Sequence, residues 1–325
     1  MFIRFWHDEG RMTRFSEEDK RYLKYQIYSF RYDNPWISNK KIATRVNRSI
    51  AAVNRYAEKA KEEQVISNPK LWLNFHFRKA ALLLFEDKWK AFKELQEYDG
   101  VYYMSVFQGD WDILVIYDKS IDFSQVPGYK GQVIEGLRGK VFTQKVKYTS
   151  WEPCLAEMEN LVEQNYCKES HLECEPYCPE WDEEDWKLFD YFRFNVRKPI
   201  KHLRKEYLIS WGKYEEWKKN LNKHCTILMF YFPEGRYAYN SLTLCFRTAY
   251  EKFIVQLFSQ LPATSVFYKI GDYLLMNIFV PWDYTYQMRI YDIISRLLVQ
   301  KTITDYTDGN RIVHWYYDVG KSRIS

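Results

Sequence analysis

Four soft donor residues fall within a short stretch, Cys167, His171, Cys174 and Cys178, spaced C-x3-H-x2-C-x3-C. Thiolate and imidazole ligands of this kind suit tetrahedral zinc or an iron–sulfur cluster. Paired C-x2-C spacing is absent, so reduced cysteines without a partner are the plain alternative; Cys154 is a substitute ligand. Between Trp36 and Lys61 stand seven basic residues, Lys40, Lys41, Arg45, Arg48, Arg55, Lys59 and Lys61, against one acid, Glu58. Basic residues at this density suit phosphate contacts, or simply a solvated charged face. His7, His76, His202, His224 and His314 show no metal spacing, and no Ser-His-Asp or Cys-His order is supported by context. No catalytic residue is assigned. Cys225 and Cys245 sit in apolar runs and read as core.

These residues need elements to position them. Ser16 followed by Glu-Glu-Asp predicts a capped helix start, with Tyr22, Leu23, Ile27 and Phe30 at helical spacing and Asn34-Pro35 as its end. Ser38 begins a second helix with Ile42 and Val46 inward. Ser49 begins a third, with Ile50, Val53 and Ala57 inward and Arg48, Ser49, Ala51, Ala52, Asn54 and Arg55 outward. Three helices with a tight turn before the third form a helix-turn-helix. Small residues let such a helix approach a groove floor, Asn can bond adenine and Arg guanine or phosphate. The candidate DNA-binding set is Asn39, Lys40, Lys41, Arg45, Arg48, Ser49, Ala51, Asn54, Arg55 and Lys59. Beyond it we expect a strand over 71–77, a helix over 78–98, strands VYYMSVF and DILVIYD about Gln108-Gly109-Asp110, a weaker helix over 131–137 and a last strand VFTQKVKYT. The order β-α-β-β-α-β is the ferredoxin-like arrangement.

The chain also repeats itself. FSEEDKRYLKY from Phe15 matches WDEEDWKLFDY from Trp181, and the turn at Gly109 matches the one at Gly271. Two matches in order, at nearly equal offset, indicate a tandem duplication. The second half is expected to carry helices over 183–194, 200–207 and 213–221, a wing hairpin over 226–246 turning at Pro-Glu-Gly-Arg, and a second βαββαβ unit. From Glu152 to Trp186 there are twelve acids and one basic residue, Lys168, which reads as a linker. The fold class is thus α+β, two copies of a winged helix-turn-helix plus a ferredoxin-like βαββαβ domain. The expected segments are 1–68 (arm and first helix-turn-helix), 69–150, an acidic linker 151–180, a degenerate helix-turn-helix 181–246, and 247–325. From Arg193 to His224 ten basic residues face three acids, yet Tyr214, Glu215 and Glu216 stand where base-reading residues belong.

The ordered set of an acid-capped first helix, ISNKKIATRV, an Arg-Ser helix opening, a Val-Ile exit and Gly-Asp-x-Asp between central strands resembles the Lrp/AsnC (feast/famine) transcriptional regulators. Their usual exit is Gly-Val-Ile; Gln64 replaces that Gly here. The resemblance covers Phe15 to Thr149 and, more weakly, Trp181 to Tyr317. It implies a regulator that binds double-stranded DNA and assembles through its βαββαβ domains, one chain standing for a family dimer and joining larger homo-oligomers. It also implies an amino-acid effector at Gly109, Asp110 and Asp112, although Gly-Asp also simply makes a hairpin turn, and Leu274 stands where Asp112 would recur. The enzyme alternative is a siroheme decarboxylase, since those enzymes share the resemblance; a non-DNA adaptor is the third. Scarce Gly, with no G-x-G-x-x-G or G-x4-G-K-[ST], argues against a nucleotide fold. The absence of a long apolar run argues against a membrane partner, and the charged amino terminus against a signal peptide, so a cytoplasmic protein is expected.

Overall fold

The structure is a computed structural model and describes residues 15–74, 78–164, 168–172 and 180–317. The first helical unit comprises α1 (Glu17–Asp33), α2 (Asn39–Arg45) and α3 (Ile50–Glu62). Its starts are set by short side chains that satisfy free N–H groups. Ser16 Oγ accepts from Asp19 N while Asp19 Oδ2 accepts from Ser16 N; Ser38 caps α2 and Ser49 caps α3. Asn47 takes φ 50° in the turn before α3, a left-handed conformation that asparagine tolerates. Leu23, Ile27, Tyr28, Ile42, Val53, Ala57 and Ala60 fill the core. Ile50, expected inward, is 45% exposed, because Tyr56 and Ala60 complete the buried face one turn further on.

The strands that follow correct the sequence reading. β1 (Lys70–Leu73) does not enter the main sheet; after it come β2 (Lys79–Phe85), α4 (Lys88–Leu95), β3 (Val101–Gly109), β4 (Ile113–Tyr117), β5 (Tyr129–Leu137) and β6 (Phe142–Thr143). The helix expected over 78–98 is therefore a strand, then a shorter helix capped by Asp87. KAALLLF is buried on both faces, and a continuous apolar run carries no period to separate strand from helix. The segment 131–137 is β5, not a helix, and the expected last strand shrinks to two residues.

α5 (Trp151–Glu163) opens the acidic stretch and is built into the second half. Trp151, Leu155, Met158 and Val162 join that core, and Arg289 binds Glu152 and Glu159. Then come α6 (Glu183–Phe192), α7 (Lys201–Glu206), α8 (Trp211–His224), β7 (Cys225–Leu228), β8 (Tyr239–Arg247), α9 (Glu251–Phe258), β9 (Val266–Ile270), β10 (Tyr273–Pro281), α10 (Tyr284–Val299) and β11 (Asp305–Tyr316). The wing hairpin over 226–246 does not form. β7 pairs with β1, so the wing strands of the two helical units pair with each other, while β8 sits between β10 and β11. β8 is buried on both faces, which suits a central strand and not an exposed wing.

The chain is α+β. One sheet of nine strands runs β5-β2-β4-β3-β11-β8-β10-β9-β6, all neighbours antiparallel. Each half contributes four strands in the ferredoxin-like order, fourth-first-third-second, the β3–β11 pair joins the halves, and β6 adds the ninth strand beside β9. In the first half the second crossover passes through a short 3-10 turn at Phe123–Gln125, not a helix. The sheet also curls onto itself: Gly271 N donates to Leu137 O and Gly139 N to Lys269 O. Gly136 makes that seam possible, since a Cβ there would lie 2.6 Å from Gly271 N. Gly136→Ala is expected to cost roughly 1–3 kcal/mol by overpacking, read as a lowered denaturation midpoint; an unchanged midpoint would contradict the closed seam.

Candidate functional site

Inside the curl, inward side chains of β3, β8, β9, β10 and β11 leave a cavity of about 380 Å³, within the range of small-molecule sites. Trp72, Tyr103, Phe107, Phe230, Phe232, Tyr268, Phe279 and Tyr316 form its aromatic walls. Lys61, Lys70, Arg236 and Arg311 line it with His314, and among the described lining residues there is no aspartate or glutamate. Lys70 Nζ lies 5.0 Å from the Phe230 ring centre and Arg236 4.7 Å from that of Phe279. At the polar end Asn277 Nδ2 donates to Thr243 Oγ1 at 2.8 Å. Cations drawn out of water without counter-charges are costly, so this wall is complementary to an anion with flat apolar faces.

The charges feel one another. Burial pushes Lys70 down to about 8, with Tyr103 partly offsetting this and Arg311 and Arg193 adding to it. His314 is held down at about 4, first by desolvation and then by Arg311, Lys70 and Arg236, and is neutral near pH 7. Burial raises Tyr103 and Tyr316.

One rim of the cavity is the exit from α3. Phe232 N donates to Val65 O, Arg236 N to Gln64 O and Ser67 N to Phe230 O. Gln64 has φ 54°, which explains why a glycine would suit this exit; its side-chain amide meets Tyr237 Oη at 3.2 Å. Opposite, Gly235 takes φ 83°, and a Cβ there would lie 2.5 Å from Glu63 O. Lys61 and Arg236 thus reach the same cavity from two segments zipped together.

The residues predicted to meet DNA lie on the solvent side of α2 and α3. Lys40, Lys41, Arg45, Arg48, Ser49, Ala51, Asn54, Arg55 and Lys59 are exposed and Asn39 is half-buried. Asn39 Nδ2 donates to Asn54 Oδ1 at 2.8 Å, and Arg31 Nη2 donates to Asn39 Oδ1. Arg45, Arg48 and Arg55 lie over Phe30, Phe15 and Tyr56, Lys59 is 3.6 Å from Glu63, and the Ser49 hydroxyl is spent on its cap. In the second unit Tyr214 is buried beside Trp217 and Leu221, so it does not face outward as a base reader would. That unit packs on the first: Arg197 Nη1 donates to Pro35 O and Ile37 O, and Lys218 lies 5.1 Å from the Trp36 ring centre.

Gly109, Asp110 and Asp112 lie outside the cavity lining except through their neighbour Phe107. Asp110 accepts from Thr307 Oγ1 and Asp308 N, and Asp112 from Phe85 N, with Lys88 at 3.7 Å. Their carboxylates tie the β3–β4 turn to β11 and β2. Of the candidate metal ligands, Cys167, Cys174 and Cys178 lie outside the described residues; His171 Nδ1 is 3.7 Å from Glu251. Among the described residues no cluster of three metal-ligating side chains occurs. Cys225 and Cys245 are buried, as is Cys154.

The reading from sequence missed the cavity. Lys70, Arg236 and the β11 pair Arg311 and His314 come from three segments far apart in the chain. The available signal was single charges inside apolar strand runs, as in KLWL and RIVHWYY.

No family model matches the sequence, and no curated protein matches it. Among solved structures, the chain is similar to the siroheme decarboxylase NirDL, with 11% identity, a TM-score of 0.47 and 91% of each chain covered. It is also similar to the same enzyme in complex with an iron-uroporphyrin III analogue, with 12% identity, a TM-score of 0.42 and 85% of each chain covered.

Proposed function

We propose that this chain is a tetrapyrrole enzyme of the siroheme decarboxylase kind, binding an anionic tetrapyrrole in the cavity and removing CO2 from its acetate side chains. The observation that carries this is a cavity whose described lining holds four cations among aromatic walls and no acid. A tetrapyrrole presents flat apolar faces to such walls and peripheral carboxylates to the cations, where charge-assisted hydrogen bonds are strongest. Two halves of one chain build the cavity together, consistent with a duplicated unit standing for a dimer; solution mass tests whether chains assemble further. The direct experiment adds siroheme or iron uroporphyrin to the purified protein under reducing, anaerobic conditions. A saturable shift of the Soret band and mass-spectrometric loss of CO2 from siroheme are expected. No spectral shift, or binding without product, would reject the enzyme reading.

The second reading is a DNA-binding regulator of the Lrp/AsnC type, favoured by the exposed basic side of α2 and α3. Each phosphate contact removed should lower the slope of log affinity against log salt by about 1. Arg48→Glu with Arg55→Glu is therefore expected to abolish duplex binding in a gel-shift series. Unchanged affinity would exclude the α3 face and leave a non-DNA role for the helical units.

A further inference from the structure

Lys70 opens β1, and its side chain lines the cavity. Its Nζ lies 3.5 Å from Tyr316 Oη and 5.0 Å from the Phe230 ring centre. The groups facing it are Tyr103 of β3, Arg311, His314 and Tyr316 of β11, and Arg193 of the α6 end. Among the described residues that line the cavity with it there is no carboxylate. We propose that Lys70 is the proton donor of the cavity, delivering an Nζ proton to the carbon from which CO2 has departed. This rests on the tetrapyrrole reading above.

The other lining groups are eliminated by their chemistry. The guanidinium groups of Arg236 and Arg311 hold charge but do not give up protons. His314 is already neutral near pH 7, and Tyr103 and Tyr316 are held in their weakly acidic forms by burial. Lys61 stands at the exposed rim. Among the described lining residues, Lys70 combines a place inside the cavity beside Tyr316, a positive charge and an ammonium proton that it can give up.

The step balances without a co-reactant. The bond between the methylene carbon and the carboxylate carbon breaks, CO2 leaves, and the electron pair remains on the methylene carbon, delocalised into the pyrrole. An N–H bond of Lys70 breaks as the new C–H bond forms, giving a methyl group and a neutral amine. Water entering the cavity reprotonates the amine. One proton is consumed per CO2, and nothing is oxidised or reduced.

The test compares wild type, Lys70→Arg and Lys70→Met in siroheme binding, by Soret titration, and in single-turnover CO2 release between pH 6 and 10, as an order-of-magnitude range about the reference lysine value. Lys70→Arg keeps the charge and is expected to bind within a few-fold of wild type. It should lose at least ~10²-fold in turnover, the usual scale of a positioned acid, and the alkaline decline of the wild-type rate should disappear with it. Lys70→Met should weaken binding as well. Thermal melts confirm that each variant is folded, and a solvent deuterium effect on wild-type turnover gives a second readout that needs no variant. If wild type binds no tetrapyrrole, the ligand reading fails and Lys70's role with it. If wild type turns over and Lys70→Arg matches its rate and pH profile, the donor assignment alone is overturned.

Discussion

Replacing Arg236 and Arg311 together with methionine is expected to weaken tetrapyrrole binding by about 10²–10⁴-fold, since each charge-assisted contact is worth about 1.5–3 kcal/mol. The two need not add, because both face Phe279 and repel one another across the cavity. The free protein should respond in the opposite direction. Among the described residues no acid lines its cavity to offset these cations, so methionine removes a desolvation cost while keeping much of the apolar stem, and the melting temperature should hold or rise. Loss of binding with undiminished stability separates a ligand site from a structural charge cluster. The pH dependence follows from Lys70. Its ordinary value of 10.5 falls to about 8 in the free protein, chiefly through burial. A bound carboxylate favours the cation and raises it again. Binding therefore takes up a proton above pH ~8, and affinity should fall by about tenfold per pH unit from there to the bound-state value. Below that window it should be flat with respect to this group. A tetrapyrrole octa-ester binding as tightly as the acid, with no pH dependence, would show that the cations play no part.

The second large effect concerns the fold. Glu251, in the first turn of α9, is 2% exposed and lies 2.7 Å from Lys269 Nζ. It also accepts from Leu172 N at 2.8 Å, beside the pairing of Ser170 with Ala249 that straps residues 168–172 to the second half. Glu251→Ala leaves a shielded ammonium and a backbone N–H without their carboxylate. Breaking one side of such a pair costs roughly 3–5 kcal/mol. Because Lys269 O also receives Gly139 N at the seam, the loss should reach the closure of the sheet. Chemical denaturation of Glu251→Ala against the double variant Glu251→Ala/Lys269→Met reads this directly. The double variant should regain most of the stability; if both are equally destabilised, the ion pair is not the cause.

Local chemistry made much of the helical scaffold legible. Ser16, Ser38, Ser49 and Asp182 are caps whose side chains act within three residues, so short-range spacing suffices to find them. The same holds for the turn at Gly109 and its counterpart at Gly271, both with positive φ between consecutive antiparallel strands. The basic face of α2 and α3 was readable because one helical period orders it. By contrast, KAALLLF, buried on both faces of β2, has no alternation to report. In β5 Gly136, a residue type that weakens a strand locally, is kept by the approach of Gly271, a residue far away in the chain.

Sequence by itself determined the α+β composition, the capped starts of α1, α2, α3 and α6 and the exposed basic side of α2 and α3, because these depend on neighbours a few residues apart. Tertiary structure alone decided that β7 leaves its own half to pair with β1, that nine strands curl to a seam, and that Lys70, Arg236, Arg311 and His314 converge on one cavity. The physical reason is that strand pairing and charge desolvation are set by groups distant in sequence: a lysine beginning a short strand is ordinary until aromatic rings and other cations from distant segments close around it.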